Sequence, residues 1–173
     1  IAGNSKVATV GGNGICSGIE SCHVNHGKLQ ANVKEGEHGN HVGGITGYLS
    51  QEFASHSPLV AFVKDCSVEN VEIVAYRDLG GLIGTVTGSG SIKPIVENNT
   101  VKDVKVIANR LPAYSEETAA NAAKVVGRNI KESELTTNTV INTTVDVIEF
   151  VDNTLEVSSA TALTFAATAG IDF

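Results

Sequence analysis

The sequence predicts an all-β fold: a parallel β-helix or β-solenoid of about four coils, with one or two short inserted or terminal helices. Three observations predict it. One short pattern recurs four times along the 173 residues, at unequal spacing. Within each copy, apolar and polar residues alternate with the period of a strand. The composition is that of strands and turns, with 18 Gly, no Trp or Met, and 5% aromatic against 42% hydrophobic residues, so a core must be built from Val, Ile, Leu and Ala.

The repeat carries most of the argument. Residues 19–33, 63–76, 96–109 and 135–148 align on Cys22, Cys66, Asn99 and Asn138. Two positions on stand Val24, Val68, Val101 and Val140. Seven on stand Leu29, Ile73, Val106 and Val145, and nine on stand Ala31, Ala75, Ala108 and Val147. A Gly-Gly element accompanies it at 42–49 (VGGITGYL) and 79–86 (LGGLIGTV), with a worn version at 122–130 (AAKVVGRNI) and a first version at 10–16 (VGGNGIC). The anchors lie 44 (22 to 66), 33 (66 to 99) and 39 (99 to 138) residues apart. Fixed motifs at unequal spacing imply insertions between strands, which is how solenoids grow loops on one face.

One copy shows the local physics. Val71, Ile73 and Ala75 alternate with period two and share a sheet face. Between Val68 and Val71 the alternation skips a residue at Glu69 and Asn70, and again at Lys102 and Asp103 in the next copy. A skip there predicts a bend, and Asn tolerates the left-handed backbone that bends need. Each copy therefore reads strand, corner, strand, and the Gly-Gly strand makes about three strands per coil. Stacked at about 4.8 Å, such coils pair in parallel and enclose columns of like residues. The Cys, Cys, Asn, Asn column is expected to be an inward polar ladder at a corner, each amide bonding to the next coil.

Two segments read as helix. In 115–124 (SEETAANAAK), Ser115 is an N-cap, acidic residues fill the first turn, Ala-rich helix formers follow and Gly127 lies beyond the end. In 159–169 (SATALTFAATA), a Ser cap precedes an apolar stripe of Leu163, Ala166 and Ala167, and Gly170 follows. The domain division is a repeat domain at 1–150, then a terminal cap or the start of a following unit at 151–173.

The Gly-Gly strand, with Gly43, Gly44, Ile45 and Gly47 and then Gly80, Gly81, Leu82 and Gly84, followed by Cys66–Ser67–Val68 or Asn99–Thr100–Val101, resembles the GLUG-type repeats of bacterial cell-surface and secreted proteins. The resemblance spans about residues 10–150. The first and fourth copies depart from the pattern, and Lys124 stands at the second Gly position. The resemblance implies an extracellular or cell-surface location and a modular role in adhesins, surface anchors or non-catalytic parts of secreted proteases. It carries no catalytic residues.

Candidate chemistry is sparse. Cys16, Cys22, His23, His26, His38 and His41 are ligand types for a tetrahedral Zn site, but their spacing fits no finger pattern, and solvated loop histidines are the default reading. Three Cys leave at least one thiol unpaired within the chain, and the redox state of Cys16, Cys22 and Cys66 stays open. Asp65, Glu69, Glu72, Glu97 and Asp103 fall at outward or corner positions, as solvated charges do, although a paired-carboxylate site on an outer face would use the same residue types. Arg77 and Asp78 read as a corner ion pair. The GSGS tract at 88–91 lacks the Lys-Ser/Thr of a phosphate loop, and the sequons at Asn98 and Asn142 fit coil corners. No catalytic, cofactor-binding or metal residue is assigned.

With a net charge of −7 and no basic stripe, the chain is a poor fit to nucleic acid or an anionic bilayer, and no stretch reaches the about 20 apolar residues of a membrane helix. It begins at Ile1 without an initiator Met or leader, which reads as a mature product or an excised piece. The expectation is a non-enzymatic structural or adhesive module. Its partners would be other domains of a longer chain, copies of itself, or a host or matrix protein or glycan. A self-assembling filament subunit and a fragment of a carbohydrate-active β-helix enzyme are the alternatives.

Overall fold

A computed structural model describes residues 5–7, 18–31, 33–34, 37–38, 40–51, 60–88, 94–110, 121–130 and 134–149. These residues form an all-β structure of parallel sheets, with one antiparallel ribbon of Val33–Lys34 against Glu37–His38. No α-helix occurs among them.

The chain passes through four sheets in a fixed order. The second passage is the most complete, and its short strand Phe62–Lys64 sits between Gly18–Glu20 and Ile95–Glu97. The long strand Ser67–Ala75 follows, flanked by His23–Gln30 on one side and by Thr100–Lys102 and Lys105–Arg110 on the other. Thr139–Ile141 and Thr144–Glu149 extend that sheet outward. Next comes Arg77–Gly80, between Asn40–Gly43 and Ala122–Ala123. The closing strand Ile83–Thr87 lies between Thr46–Gln51 and Val126–Arg128, and Ser5–Val7 pairs with the far edge of Thr46–Gln51. The first three passages therefore each cross four sheets, where the sequence suggested about three strands. The Gly-Gly element is two strands joined by a tight corner, and a short strand precedes Cys22, Cys66 and Asn99.

Register follows the aligned columns. Val24, Val68, Val101 and Val140 are mutual partners in successive strands. So are Leu29, Ile73, Val106 and Val145, while Ala75 pairs with Ala108 and Ala108 with Val147. These columns make the core. Val68, Ile73, Ala75, Val101, Val106 and Ala108 are fully buried, together with Ile45, Leu49, Val63, Leu79, Leu82 and Ile83 from the other sheets. Each buried Val, Leu or Ile contributes about 1.5–3 kcal/mol before chain entropy is counted. In the last described passage the same columns open out: Val140 is 39% and Val147 57% exposed.

Corners form where the alternation skips. His26, Asn70, Asp103 and Asn142 stand in successive passages, all with φ between 46 and 61°. Ser21, Asp65 and Asn98 make a second left-handed set just before the anchors. Asn, Asp and His are the non-glycine residues that enter this region at least cost. The Gly-Gly corner has another cause. A Cβ on Gly81 would strike the Lys124 carbonyl oxygen and lie 2.7 Å from Val101 Cγ1, and a Cβ on Gly44 would lie 2.7 Å from both methyls of Val68. Backbone of one passage there lies directly on that of the next, and only hydrogen fits between.

One expectation is corrected. The helix at 115–124 is contradicted at its C-terminal end, where Ala122–Ala123 is a strand pairing with Leu79–Gly80; residues 115–120 lie outside the described set. Helix propensity favours Ala only weakly, and Asn121 and Ala123 carbonyls accept from the N–H groups of Leu79 and Gly81 at 2.7 and 3.3 Å. The first Gly-Gly copy expected at 10–16 lies outside the described residues. The helix at 159–169 and the terminal unit at 151–173 also fall outside the described residues.

Candidate functional site

Two corners concentrate the buried polar groups. The first is the anchor column. Cys66 N–H donates to Asn99 Oδ1 at 2.9 Å, and Asn99 N–H to Asn138 Oδ1 at 3.1 Å. Asn99 Nδ2 reaches the Val63 carbonyl at 3.0 Å and Asn138 Oδ1 at 2.8 Å, and Asn138 Nδ2 reaches the Val96 carbonyl at 3.0 Å. The Cys66 thiol makes the equivalent reach to the Ile19 carbonyl, at 3.7 Å, and a shorter contact of 3.1 Å with the Lys64 carbonyl. Ile19, Val63 and Val96 share one column, so Cys66, Asn99 and Asn138 each tie themselves to the passage before. This is the polar ladder expected from the sequence, with the thiol standing where an amide stands elsewhere. Asn99 is 1% exposed, so its donors and acceptors must be matched within the protein.

The second cluster surrounds Asp78. His41, Asp78 and Asn121 are in register, one residue before the Val42, Leu79 and Ala122 partners. The Asp78 side chain is fully buried. Its Oδ1 accepts from Asn121 Nδ2 at 2.7 Å, and its Oδ2 lies 3.4 Å from Arg128 Nη1, 3.2 Å from His41 Nδ1 and 3.6 Å from Arg77 Nε. Two guanidinium groups and an amide thus surround one buried carboxylate, the arrangement that makes a buried charge tolerable. The Asp78 backbone is left-handed, φ 55°, as is that of His41, φ 58°. His41 Nδ1 also lies 2.8 Å from Thr85 Oγ1, and its ring meets Tyr48 edge-on at 5.3 Å. Burial lowers the His41 pKa below the ordinary 6.5; Asp78 opposes this, and Arg77 and Arg128 add to it.

A hydroxyl, an imidazole and a carboxylate in contact invite comparison with a nucleophile–base–orienter relay. Such a relay needs the two ring nitrogens on different partners. Here one nitrogen, Nδ1, faces both Thr85 and Asp78, and the arrangement works as a clamp across three passages of chain.

The other candidates are dispersed. His23 is exposed, with Nδ1 2.9 Å from Ser67 Oγ, and His26 occupies a left-handed corner. His38 lies in the antiparallel ribbon, opposite Val33. Cys16 is outside the described residues, whereas Cys22 and Cys66 are adjacent anchors. Among the described residues no three His, Cys, Asp or Glu side chains converge as a metal site. His41 departs from the loop-histidine expectation: it sits in strand Asn40–Gly43, half-buried against Asp78. The outward carboxylates stand in columns with lysines, Glu72 beside Lys28 at 2.9 Å, Glu97 beside Lys64 at 3.4 Å and Glu69 beside Lys102 at 3.9 Å. Arg77 and Asp78 do form the expected corner pair, but His41, Asn121 and Arg128 were not anticipated beside them. The signal was present: His41, Asp78 and Asn121 each stand two residues before the Gly-Gly pair or its Ala123–Lys124 counterpart.

Comparison of the chain with protein-family models, curated proteins and solved structures finds no match.

Proposed function

We propose that this chain is a stretch of parallel β-solenoid serving as a non-enzymatic structural or adhesive module of a bacterial surface or secreted protein, of the kind the GLUG-type motifs imply. The observation that carries the reading is the anchor column. Four passages share one in-register set of positions, from Cys22 through Cys66 and Asn99 to Asn138, and the side chains of Cys66, Asn99 and Asn138 each bond to the passage before. The buried polar groups are consumed in holding passages together, which suits a spacer or display scaffold. Lys and Glu side chains on the outer face give a repetitive array suited to weak multivalent contact with a glycan or matrix protein. The test pairs small-angle scattering of the purified chain with retention on immobilised matrix proteins and glycans. A rod-like cross-section that stays constant along the particle, with binding that grows when copies are linked in tandem, supports the reading. A compact spheroidal profile overturns the solenoid, and turnover of an acidic polysaccharide, lost on Glu69→Gln or Glu72→Gln, overturns the non-enzymatic role.

A second reading, a subunit of an extracellular filament, draws on one specific observation. Val140, Ile141, Val147 and Ile148 are exposed together on the last described passage, where stacking of a further passage would cover the open columns. Light scattering across a hundredfold concentration range separates the two, because a spacer keeps the 17.9 kDa mass of the chain and a filament subunit grows.

A further inference from the structure

One column of the ladder places two thiols together. His23 pairs in register with Ser67, and Ser67 N–H donates to the Cys22 carbonyl at 2.9 Å, so Cys22 and Cys66 occupy the same corner position in adjacent passages. In-register neighbours across a parallel ladder have Cα atoms about 4.8 Å apart. That lies inside the window of about 4.4–6.8 Å that a disulfide spans. Cys66 belongs to the apolar core, and Cys22 packs against it. Further along the same column, Asn99 Nδ2 and Asn138 Oδ1 meet at 2.8 Å, which shows that this position brings neighbouring side chains into contact. Burial raises the Cys66 thiol above its ordinary value; a hydrogen bond with the Cys22 backbone opposes the rise and the Cys22 thiol adds to it.

We infer that Cys22 and Cys66 form a disulfide that staples two adjacent passages when the chain meets a small-molecule disulfide such as oxidised glutathione. Half-buried Cys22 is the more accessible thiol and reacts first. Its thiolate attacks one glutathione sulfur, breaks that S–S bond and releases one glutathione thiolate. The Cys66 thiolate then attacks the Cys22 sulfur, forms the protein S–S bond and releases the second glutathione. The protein loses two electrons and two protons, and two glutathione thiols carry them away. The inference rests on the column geometry alone and stands whatever the location of the protein; the compartment decides only whether the bond forms there.

The experiment uses the full chain, reduced and then incubated with oxidised glutathione at about pH 8, where thiolates are populated. The expected product is lighter by two hydrogens, about 2 Da, and carries no glutathione. Cleavage after glutamate separates Cys16 from Cys22 at Glu20, so a non-reduced digest should show the peptide of Cys22 joined to that of Cys66. Cys16→Ser should keep this link and Cys22→Ser should abolish it. The oxidised chain should melt about 4–10 °C higher than the reduced one. A link through Cys16, a persistent glutathione adduct on Cys22, or unreacted thiols in a chain that keeps its β circular dichroism would each overturn the inference.

Discussion

Replacing Asn99 by Ala removes a side chain that serves three partners and is 1% exposed. Its Oδ1 accepts the Cys66 N–H at 2.9 Å, and its Nδ2 donates to the Val63 carbonyl at 3.0 Å and to Asn138 Oδ1 at 2.8 Å. Each bond is worth about 1 kcal/mol net, and a buried N–H left without its acceptor costs about 1–3 kcal/mol more. Asn99→Ala should therefore cost about 3–5 kcal/mol, a large share of the stability of an ordinary domain. The assay is urea unfolding followed by circular dichroism near the β minimum, where the midpoint should fall by about 1–3 M. Asn138→Ala is the internal comparison. Asn138 makes bonds of the same kind, but it stands in the outermost described passage and is only half-buried, so water can replace part of what is lost. Its loss should cost about 1–2 kcal/mol. A cost below about 1 kcal/mol for Asn99→Ala, or a larger cost at Asn138, would refute the claim that the ladder holds the passages together.

Three further outcomes test the register, the corner and the clamp. Ile73→Asp puts an unpaired charge at a fully buried column position and should abolish cooperative unfolding, whereas Glu72→Ala loses only a surface pair with Lys28 and should shift stability by less than about 0.5 kcal/mol by urea titration. Gly81→Val drives a branched side chain into the Lys124 carbonyl and Val101 and should prevent folding, as judged by circular dichroism; Gly27→Ala meets nothing within 4 Å and should fold normally. His41 has a folded-state pKa below its ordinary 6.5, so the unfolded chain binds the extra proton first. Its contribution to stability is constant above about pH 6.5 and declines as pH falls from there to its lower folded value. Melting temperature should drop over that interval in the parent, and the drop should shrink in His41→Gln.

The columns were legible in the sequence because a parallel, in-register stack puts residues of one type at one offset. Val24, Val68, Val101 and Val140 keep their offset from the anchors whatever loop lies between, so the alignment read the register directly. The bends at Asn70 and Asp103 were legible for a related reason: a single left-handed residue breaks the period-two alternation at a fixed place. The worn copy at 122–130 shows where local signals compete. Its alanines are good helix formers in isolation, and their strand state is set by the carbonyls and N–H groups of the passage alongside. The Asp78 clamp was harder to see, because its members are chemically unlike. An imidazole, a carboxylate and an amide occupy one column, and no residue-type match marks them.

That contrast separates two ways of fixing the stack. The apolar columns are tolerant, since Val, Ile, Leu and Ala exchange along them and a slip by one passage would still bury hydrocarbon. The polar corners are not. At the anchor column Cys66, Asn99 and Asn138 must each find the carbonyl of the passage before, and Asp78 must find an amide, an imidazole and two guanidinium groups. Placing Asp78 beside any other passage would strand a buried carboxylate among groups that cannot donate to it, at a cost of several kcal/mol. Axial order thus rests on two corner columns, while most of the burial energy comes from the strands between them. A variant with Asp78→Asn, Arg77→Gln and Arg128→Gln removes the carboxylate and both guanidinium charges and keeps amides in their place. It should retain the melting cooperativity of the parent if the clamp acts through hydrogen bonds alone. It should lose cooperativity, with a broadened transition, if the opposed charges are what reject misaligned stacking.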